Sequence, residues 1–523
     1  MSTGMLGAAA NAAAAHRAGQ MLLVAPMGIE ARALRRGAPE ATIVRSGIGP
    51  RRARRSAGAL AADPARALAV AGFGGALSGR LQPGDVVVAS ELLSRDGTVV
   101  ARCPGAAIIA GMLRRRGVQA HVGPVVSVRS PAVGDLRLAL RDTGALAADM
   151  ESAWLAPAAR GRPFMVLRAV LDTADRELYN PVATLAATRR ATASLSASAQ
   201  VVMEWAATIR PRELVLAAPR ASCAGVERAI ETVERALEAF GAPVYMRKQI
   251  VHNRHVVDEL ERRGAVWVDE LDEVPDGCTV VFSAHGVSPQ VREQAQRKQL
   301  NVVDATCPLV SKVHAEARQF ADDGFAIVLV GHEGHEEIEG TSGEVAGKVR
   351  VIAHEEEVEE LQVGDPERVA YLTQTTLAVE ETRGVVDRLR ERFPAIVGPR
   401  SDDICYATQN RQDAVKALAA TCDLVLVVGS ANSSNSNRLV EVAQRHGCEA
   451  HLVDDGGQLD PAWLADASRV GVTAGASSPE RIVQRLISEL SALGPLQIGE
   501  HTVANETVRF APPREVRGRE VRS

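Results

Sequence analysis

The amino-acid sequence predicts an α/β fold along its whole length, because strand-like and helix-like segments alternate. Short runs rich in Val, Leu and Ile recur, and each precedes a Gly or polar turn and a longer Ala-, Leu- and Arg-rich segment with helical spacing. These runs are residues 21–27, 67–73, 86–89, 164–171, 213–218, 279–284, 326–330, 423–428 and 469–474. Such alternation is typical of βα units, so we expect parallel sheets covered by helices on both faces.

Length and composition indicate a globular chain with several domains. The 523 residues exceed the roughly 100–200 residues of an ordinary domain. The hydrophobic fraction of 46% and charged fraction of 24% are typical of globular proteins. A net charge of −4 and an aromatic fraction of 3% argue against nucleic-acid binding. No apolar run reaches the roughly 18 residues of a membrane span.

The two ends of the chain and one internal segment predict the domain organisation. Residues 1–20 are Ala-rich with a first basic residue at Arg17, so we expect a flexible leader rather than a signal peptide, and a cytoplasmic protein. Pro211 follows an Ala-rich helical segment at 183–206, and a new strand begins at Leu214. We therefore predict an N-terminal domain at 20–206 and a C-terminal domain at 213–511. The charged last dozen residues are expected to be loose.

Three of the seven cysteines lie where helices are expected to begin. Cys223, Cys307 and Cys405 fall one each in three similar-sized segments of the C-terminal domain. A helix N-terminus favours the thiolate, and three converging thiolates could hold a cubane iron–sulfur cluster with one iron free of protein ligands. The alternative is that each is a buried apolar cysteine, which is the interpretation preferred here for the remaining three cysteines of this domain. Those three are Cys278, Cys422 and Cys448.

Several strands of the C-terminal domain run directly into polar clusters. Ligands of parallel sheets bind beyond the carboxyl ends of the strands, so these clusters are expected to share one space. The polar candidates are His252, His285, His335, Thr375, Ser433, Ser434, Asn435 and Ser477. Imidazoles, hydroxyls and helix N-termini together suit a diphosphate, although each cluster alone could be a turn or a helix cap. Glu337 is a candidate proton donor, or else an exposed acid in an acid-rich run.

The C-terminal domain resembles the 4-hydroxy-3-methylbut-2-enyl diphosphate reductase family, which acts last in the methylerythritol phosphate route to isoprenoids. The resemblance rests on segments that include FSAHGVS, DATCPLV, GHEGHEEIEGT, TQTTL, DDICYATQNRQ and GSANSSNSNRL. It implies a three-lobed α/β unit around a central 4Fe–4S cluster that Cys223, Cys307 and Cys405 hold. It also implies that the eight polar candidates bind the substrate and that Glu337 delivers protons. Glu336 departs from the family, which usually has Pro at this position.

The activity implied by this resemblance is a reductive dehydroxylation. It would convert (E)-4-hydroxy-3-methylbut-2-enyl diphosphate to isopentenyl and dimethylallyl diphosphate, with Glu337 protonating the departing oxygen. The C-terminal domain carries no nucleotide-binding fingerprint, so we expect a ferredoxin or flavodoxin as the electron donor.

The N-terminal domain resembles the purine nucleoside phosphorylase and nucleosidase superfamily, particularly its hopanoid-associated phosphorylase branch. The resemblance rests on the segments VAPMGIEARAL, SGIGP, AGFGGAL, DMES and LRAVLDTAD. It implies that Glu30 orients the attacking water or phosphate or the ribose, that Met150 and Glu151 hold the ribose hydroxyls, and that Asp172 protonates the purine. Leu171 stands where nucleosidases commonly have Ser. A retained scaffold without turnover is the alternative.

Two other interpretations of the whole chain stay open at this stage. In one, the chain is chiefly a nucleoside-cleaving enzyme and its C-terminal half is a vestigial or zinc-filled module. In the other, the C-terminal half is an iron–sulfur sensor without turnover.

Overall fold

The computed structural model describes residues 21–175 and 181–517, and they form two compact units. The first unit takes the chain up to Leu214 together with Asp455–Ser468 and Gln484–Ile498. The second takes Val215–Asp454, Arg469–Val483 and the chain from Gly499 onward. Strands and helices alternate in both units, which confirms the predicted α/β class. The expected leader at residues 1–20 lies outside the described residues.

The first unit is built on one eight-stranded sheet. Its strands are β1 (Met21–Ala25), β2 (Thr42–Arg45), β3 (Ala67–Ala76), β4 (Val86–Leu93), β5 (Val99–Arg102), β6 (Ala120–Ser127), β7 (Ala147–Asp149) and β8 (Phe164–Asp172). The order is β2-β1-β3-β7-β6-β4-β5, and β8 pairs with both β3 and β4. Its helices are α1 (Gly28–Gly37), α2 (Pro50–Ala62), α3 (Ala106–Arg115), α4 (Gly134–Arg141), α5 (Ser152–Leu155) and α6 (Pro181–Ala207).

The prediction of a purely parallel sheet is wrong for the first unit. Strand β4 runs antiparallel to β5 and β8, and β7 runs antiparallel to β3. Residues 94–98, which join β4 to β5, are too few for the crossover of about a dozen residues that a parallel pair needs. The apolar runs predicted β1, β3, β4 and β8, and the short connection accounts for the antiparallel direction of β5.

The second unit contains three smaller sheets, in agreement with the three-lobed fold that the resemblance implied. Its strands are β9 (Arg212–Ala218), β10 (Val244–Arg247), β11 (Ala265–Val268), β12 (Thr279–Phe282), β13 (Asn301–Asp304), β14 (Ala326–Val330), β15 (Val349–Ile352), β16 (Val369–Thr373), β17 (Leu424–Val428), β18 (Glu449–Val453), β19 (Arg469–Ala474) and β20 (Leu496–Thr502). The orders are β11-β10-β12-β13, β15-β14-β16 and β18-β17-β19-β9-β20. The pairs within β10–β13, β14–β16 and β17–β19 are parallel.

Helices separate these strands. They are α7 (Ala224–Phe240), α8 (Arg254–Arg262), α9 (Pro289–Arg297), α10 (Pro308–Asp322), α11 (Glu336–Glu344), α12 (Val379–Arg392), α13 (Tyr406–Ala419), α14 (Ser434–Arg445) and α15 (Glu480–Leu490). The central strands β14 and β17 read AIVLV and LVLVV, and all of β17 is buried. Unbroken apolar strands are typical of sheets covered on both faces, so polar residues first appear where these strands end.

The end of the chain differs from the prediction of a loose tail. Val516 is buried and packs in the same core cluster as Val233 and Ile250, so residues 512–517 are anchored in spite of their charge. Residues 518–523 lie outside the described part. In the two described ranges, no helix is both long and apolar enough to cross a membrane.

Candidate active sites and related proteins

One cavity in the second unit brings the predicted functional residues of this half together. Its lining includes Cys223, His252, His285, Cys307, His335, Glu337, Thr375, Cys405, Ser433, Ser434, Asn435 and Ser477. The sequence places these residues up to about half the chain apart, and the folding of three lobes brings them to one space. Their proximity is a structural finding, whereas their chemical roles remain predictions.

The three cavity cysteines each occupy the N-cap of a helix, as predicted. Cys223 precedes α7, Cys307 precedes α10 and Cys405 precedes α13. A Cβ atom at Gly225 would lie 2.7 Å from the Sγ of Cys307 and 3.8 Å from that of Cys223. Glycine therefore keeps free the space that these two thiols share.

Two of the cavity thiols have raised pKa values, whereas their position at a helix N-terminus led us to expect lowered ones. Burial raises the pKa of Cys307 to about 12 and that of Cys405 to about 11. Desolvation of the thiolate outweighs the backbone N–H groups, including the Thr408 N–H that donates to Cys405 Sγ at 3.3 Å. A bound metal centre would reverse this balance, since a coordinating thiol loses its proton. Three sulfur donors that line one cavity thus fit an iron–sulfur cluster.

Three histidines form one wall of the cavity. The rings of His252 and His285 stack with centroids 4.3 Å apart, and the ring of His335 meets them edge-on at 5.8 and 5.7 Å. Burial lowers the pKa of His252 to about 3 and that of His335 to about 4, so both rings are neutral near pH 7. Because the Nδ1 of His335 accepts the Glu337 N–H at 3.2 Å, its own proton lies on Nε2.

A second polar group comes from the start of α14 and the end of β19. The Oγ of Ser433 accepts the Ser436 N–H at 3.3 Å and lies 3.2 Å from the Oγ of Ser477. Both polar atoms of the Asn435 side chain are buried with no hydrogen-bond partner among the described residues. A buried polar group without a hydrogen bond lowers the stability of a protein by about 1–3 kcal/mol, so a ligand that hydrogen-bonds to this amide would remove that cost.

Glu337 lies in the first turn of α11 and is only 2% exposed. Its Oε1 accepts the Thr375 N–H at 2.7 Å, and its Oε2 accepts the Thr375 hydroxyl at 3.0 Å. Burial raises the pKa of this carboxyl to about 7. The alternative of an exposed acid is therefore wrong, and Glu337 can hold a proton at neutral pH.

Two residues in or beside this cavity were not predicted as functional and bear on its chemistry. Phe510 lines it from a segment without regular secondary structure, and no pattern in the sequence indicated this. Glu336 was noted only as a departure from the family, but its Oε2 lies 3.1 Å from the Nδ1 of His285.

The residues predicted for the first unit also meet in one cavity. Its lining includes Glu30, Met150, Glu151 and Asp172. Glu30 accepts the N–H groups of Met27 and Phe73 at 2.6 and 2.7 Å, and Glu151 accepts the Gly49 N–H at 2.9 Å. Burial raises the pKa of Glu30, and it raises the pKa of Glu151 to about 7.

Two buried arginines in this unit were not predicted. Arg168 forms an ion pair with Asp149 at 2.5 Å and donates to the Ser152 hydroxyl at 2.7 Å. It interrupts the apolar run FMVLRAVL, which was an available signal. Arg137 forms an ion pair with Asp172, and no signal marks it within the amphipathic helix α4. Asp172, for which the resemblance implied a proton-donor role, therefore has an arginine side chain against its carboxyl.

Comparison with known proteins agrees with both resemblances. Residues 214–491 match the family model described as LytB protein, and residues 4–204 match that of the phosphorylase superfamily. A 4-hydroxy-3-methylbut-2-enyl diphosphate reductase from Stenotrophomonas maltophilia (strain K279a) is 55% identical over 310 residues, or 58% of this chain and 98% of the relative. Its counterpart from Nocardia farcinica (strain IFM 10152) is 57% identical over 307 residues, or 58% of this chain and 91% of the relative.

A solved structure shares the fold of the C-terminal half. It is the E-1-hydroxy-2-methyl-but-2-enyl-4-diphosphate reductase from Plasmodium falciparum, which has a TM-score of 0.57 and 37% identity and covers 59% of this chain and 97% of its own. The chain therefore belongs to the LytB protein family and carries a phosphorylase-superfamily domain at its N-terminus.

Proposed function

We propose that the second unit is a 4-hydroxy-3-methylbut-2-enyl diphosphate reductase. The observation that carries this proposal is the single cavity in which three thiols, three imidazoles, a Ser–Asn group and a buried acid meet. The reaction removes the hydroxyl of (E)-4-hydroxy-3-methylbut-2-enyl diphosphate as water and consumes two electrons and two protons. Its products are isopentenyl and dimethylallyl diphosphate.

The thiols are the groups that would hold the cofactor. Cys223, Cys307 and Cys405 would bind a 4Fe–4S cluster, which supplies the two electrons when it is present. The proposed donor of these electrons is a ferredoxin or a flavodoxin, because the sequence of this half has no dinucleotide fingerprint.

The polar walls bind the diphosphate in this proposal. His335 offers its Nε2–H, and Asn435 offers an amide that has no hydrogen-bond partner among the described residues. The N-terminus of α14 adds free backbone N–H groups and the positive end of a helix dipole, which suit a phosphate. Ser433, Ser434 and Ser477 complete the set of neutral donors.

Glu337 holds the proton that leaves with the substrate oxygen. A pKa of about 7 keeps a large fraction of this carboxyl protonated at neutral pH. Thr375 hydrogen-bonds to Glu337 through its hydroxyl and also lines the cavity, so this hydroxyl relays the proton from the buried acid.

Anaerobic purification followed by metal analysis and assay tests the proposal. We expect about four iron and four sulfide per chain, and reoxidation of a reduced dye that depends on the allylic diphosphate. Zinc in place of iron would contradict the cofactor. An iron–sulfur protein that does not reoxidise the dye would be a sensor rather than a reductase.

We propose cleavage of a purine nucleoside as a second activity, located in the first unit. The supporting observation is that Glu30, Met150, Glu151 and Asp172 line one cavity. Glu30 is placed to orient the attacking water or phosphate, and Glu151 to hold a ribose hydroxyl. Asp172 faces the leaving base with Arg137 bound behind it.

Replacement of Asp172 by Asn in the full-length chain is expected to slow base release by about 100-fold, because an amide cannot transfer a proton to the leaving purine and a purine leaves poorly unless it is protonated. The full chain is needed because Asp455–Ser468 and Gln484–Ile498 belong to this unit. Release of free purine from a panel of adenosyl and other purine nucleosides is the measurement.

Asp175→Asn is the matched control, since Asp175 is an exposed acid three residues away. Equal losses in both variants would remove the proposed role of Asp172. A panel with no base release by the unmodified chain would favour a scaffold without turnover.

A further inference from the structure

Glu336 holds an ordered position beside the histidine wall. It is the first residue of α11, and its side chain is 15% exposed. Its Oε2 lies 3.1 Å from the Nδ1 of His285 and accepts the hydroxyl of buried Ser283 at 3.3 Å. Two contacts from the segment after β12 thus fix this carboxylate against one face of the cavity.

The contact with Glu336 determines which proton form of His285 can bind an anion. A carboxylate oxygen only accepts, so the Nδ1 of His285 carries a hydrogen when it faces Glu336. In a neutral ring the other nitrogen, Nε2, would then hold a lone pair and could not donate to a phosphoryl oxygen. Only the imidazolium can donate to Glu336 and to an anionic ligand together, and the carboxylate stabilises that form.

The neighbouring histidines do not share this hydrogen bond, although the Glu336 carboxylate also acts on both of them electrostatically. The Nδ1 of His335 accepts a backbone N–H, and the Nδ1 of His252 is buried with no hydrogen-bond partner among the described residues. Burial keeps both rings neutral near pH 7. His285 is therefore the member of the wall that is in hydrogen-bond contact with a counter-charge.

We propose that Glu336 is a positioning residue that holds His285 as an imidazolium with its Nε2–H available to the substrate diphosphate. This inference rests on the proposed reductase function. The His285–Glu336 pair has no net charge, but of the two side chains it is His285 that lines the cavity. The positive charge of His285 therefore lies nearer to the diphosphate and attracts it more strongly than Glu336 repels it. Lys248, which forms an ion pair with Glu339 at 3.4 Å, is a further positive charge near enough to favour the carboxylate form of Glu336.

The test is the affinity of the anaerobically purified full-length protein for inorganic pyrophosphate, measured by calorimetry. Glu336→Gln keeps the size of the side chain and can accept from Nδ1, but it cannot offset a charge, so we expect binding to weaken about tenfold. The KM for the allylic diphosphate rises by a similar factor and kcat stays unchanged, since the lost interaction is already present in the bound substrate. Iron content stays at the level of the unmodified protein.

Two further variants keep the test valid if glutamine disturbs the loop. Glu336→Asp is expected to recover part of the affinity. Glu336→Pro removes the carboxylate altogether. The backbone accepts this change, because the first position of a helix tolerates proline and His335 already has the extended conformation that a residue before proline requires. Glu333→Gln, at an exposed acid of the same loop, is the control and keeps full affinity.

A double-mutant cycle with His285→Asn separates this role from a general charge effect. If Glu336 acts through His285, Glu336→Gln has no further effect on pyrophosphate binding in the His285→Asn background. Equal losses in both backgrounds, or an unmodified protein that does not bind pyrophosphate, would overturn the inference. Weakened pyrophosphate binding in Glu336→Gln without turnover by the unmodified protein would support the pair and contradict the reductase function.

Discussion

Serine in place of Cys223, Cys307 or Cys405 is expected to remove most of the iron from the protein and to reduce turnover to background. Each of these cysteines occupies the N-cap position of a helix at the same cavity, and two of the thiols flank the space that Gly225 keeps free. A hydroxyl is a much poorer ligand for iron than a thiolate, so the loss of one sulfur leaves a cluster with too few ligands. Iron and sulfide per folded chain, together with visible absorbance, are the measurements.

The matched controls are the three other cysteines of the same half. Cys422 and Cys448 are buried in an apolar core cluster, and Cys278 packs against another. Serine at these positions should lower stability but leave the iron content of the folded protein unchanged. Full iron content in any variant of the cavity thiols would contradict its role as a ligand.

Glu337→Gln is expected to reduce turnover by about 100-fold or more, the usual contribution of a positioned general acid. The amide keeps the size of the side chain but cannot supply a proton. Since Glu337 acts in its protonated form and its pKa is about 7, the activity of the unmodified enzyme should fall as the pH rises above that value. The glutamine variant should lack this part of the pH profile, which a series of kcat measurements checks.

Iron content and substrate affinity are expected to remain unchanged in Glu337→Gln, because this carboxyl binds Thr375 and not the thiols. Glu339→Gln is the control, since Glu339 is an exposed acid on the same helix. A similar loss of turnover in both variants would assign the effect to local charge and remove Glu337 from the role of proton donor.

The elements that carry the site were predictable because their signals are local. Strands such as β14 and β17 are apolar at every position since both faces of a parallel sheet are covered, and their ends are therefore visible where polar residues begin. The helices that begin after Cys223, Cys307 and Cys405 were likewise predictable from the residues around each cysteine. Long ordered motifs around these ends indicated the family before any side-chain geometry was known.

Other features depend on contacts between segments that are far apart in the chain, and the sequence of one segment does not predict such contacts. The pairs His285–Glu336 and Arg137–Asp172 join different elements, and Phe510 reaches the cavity from an irregular segment. The thiol pKa values also differ from the expectation, since a helix N-terminus is a local effect whereas burial comes from the whole fold. In the mixed sheet of the first unit, the short connection explains only the antiparallel pair of β4 and β5, whereas β4–β8 and β3–β7 join segments far apart in the chain.

The sequence by itself determined the α/β class, the strand ends, the cysteines that open helices and the family of this protein, because periodicity and motifs are written in neighbouring residues. Only the tertiary structure decided that Glu337 is buried and has a pKa of about 7, that His285 has a carboxylate partner and that Asp172 has an arginine beside it. Desolvation and charge pairing act between segments far apart in the chain, so they exist only once the chain has folded.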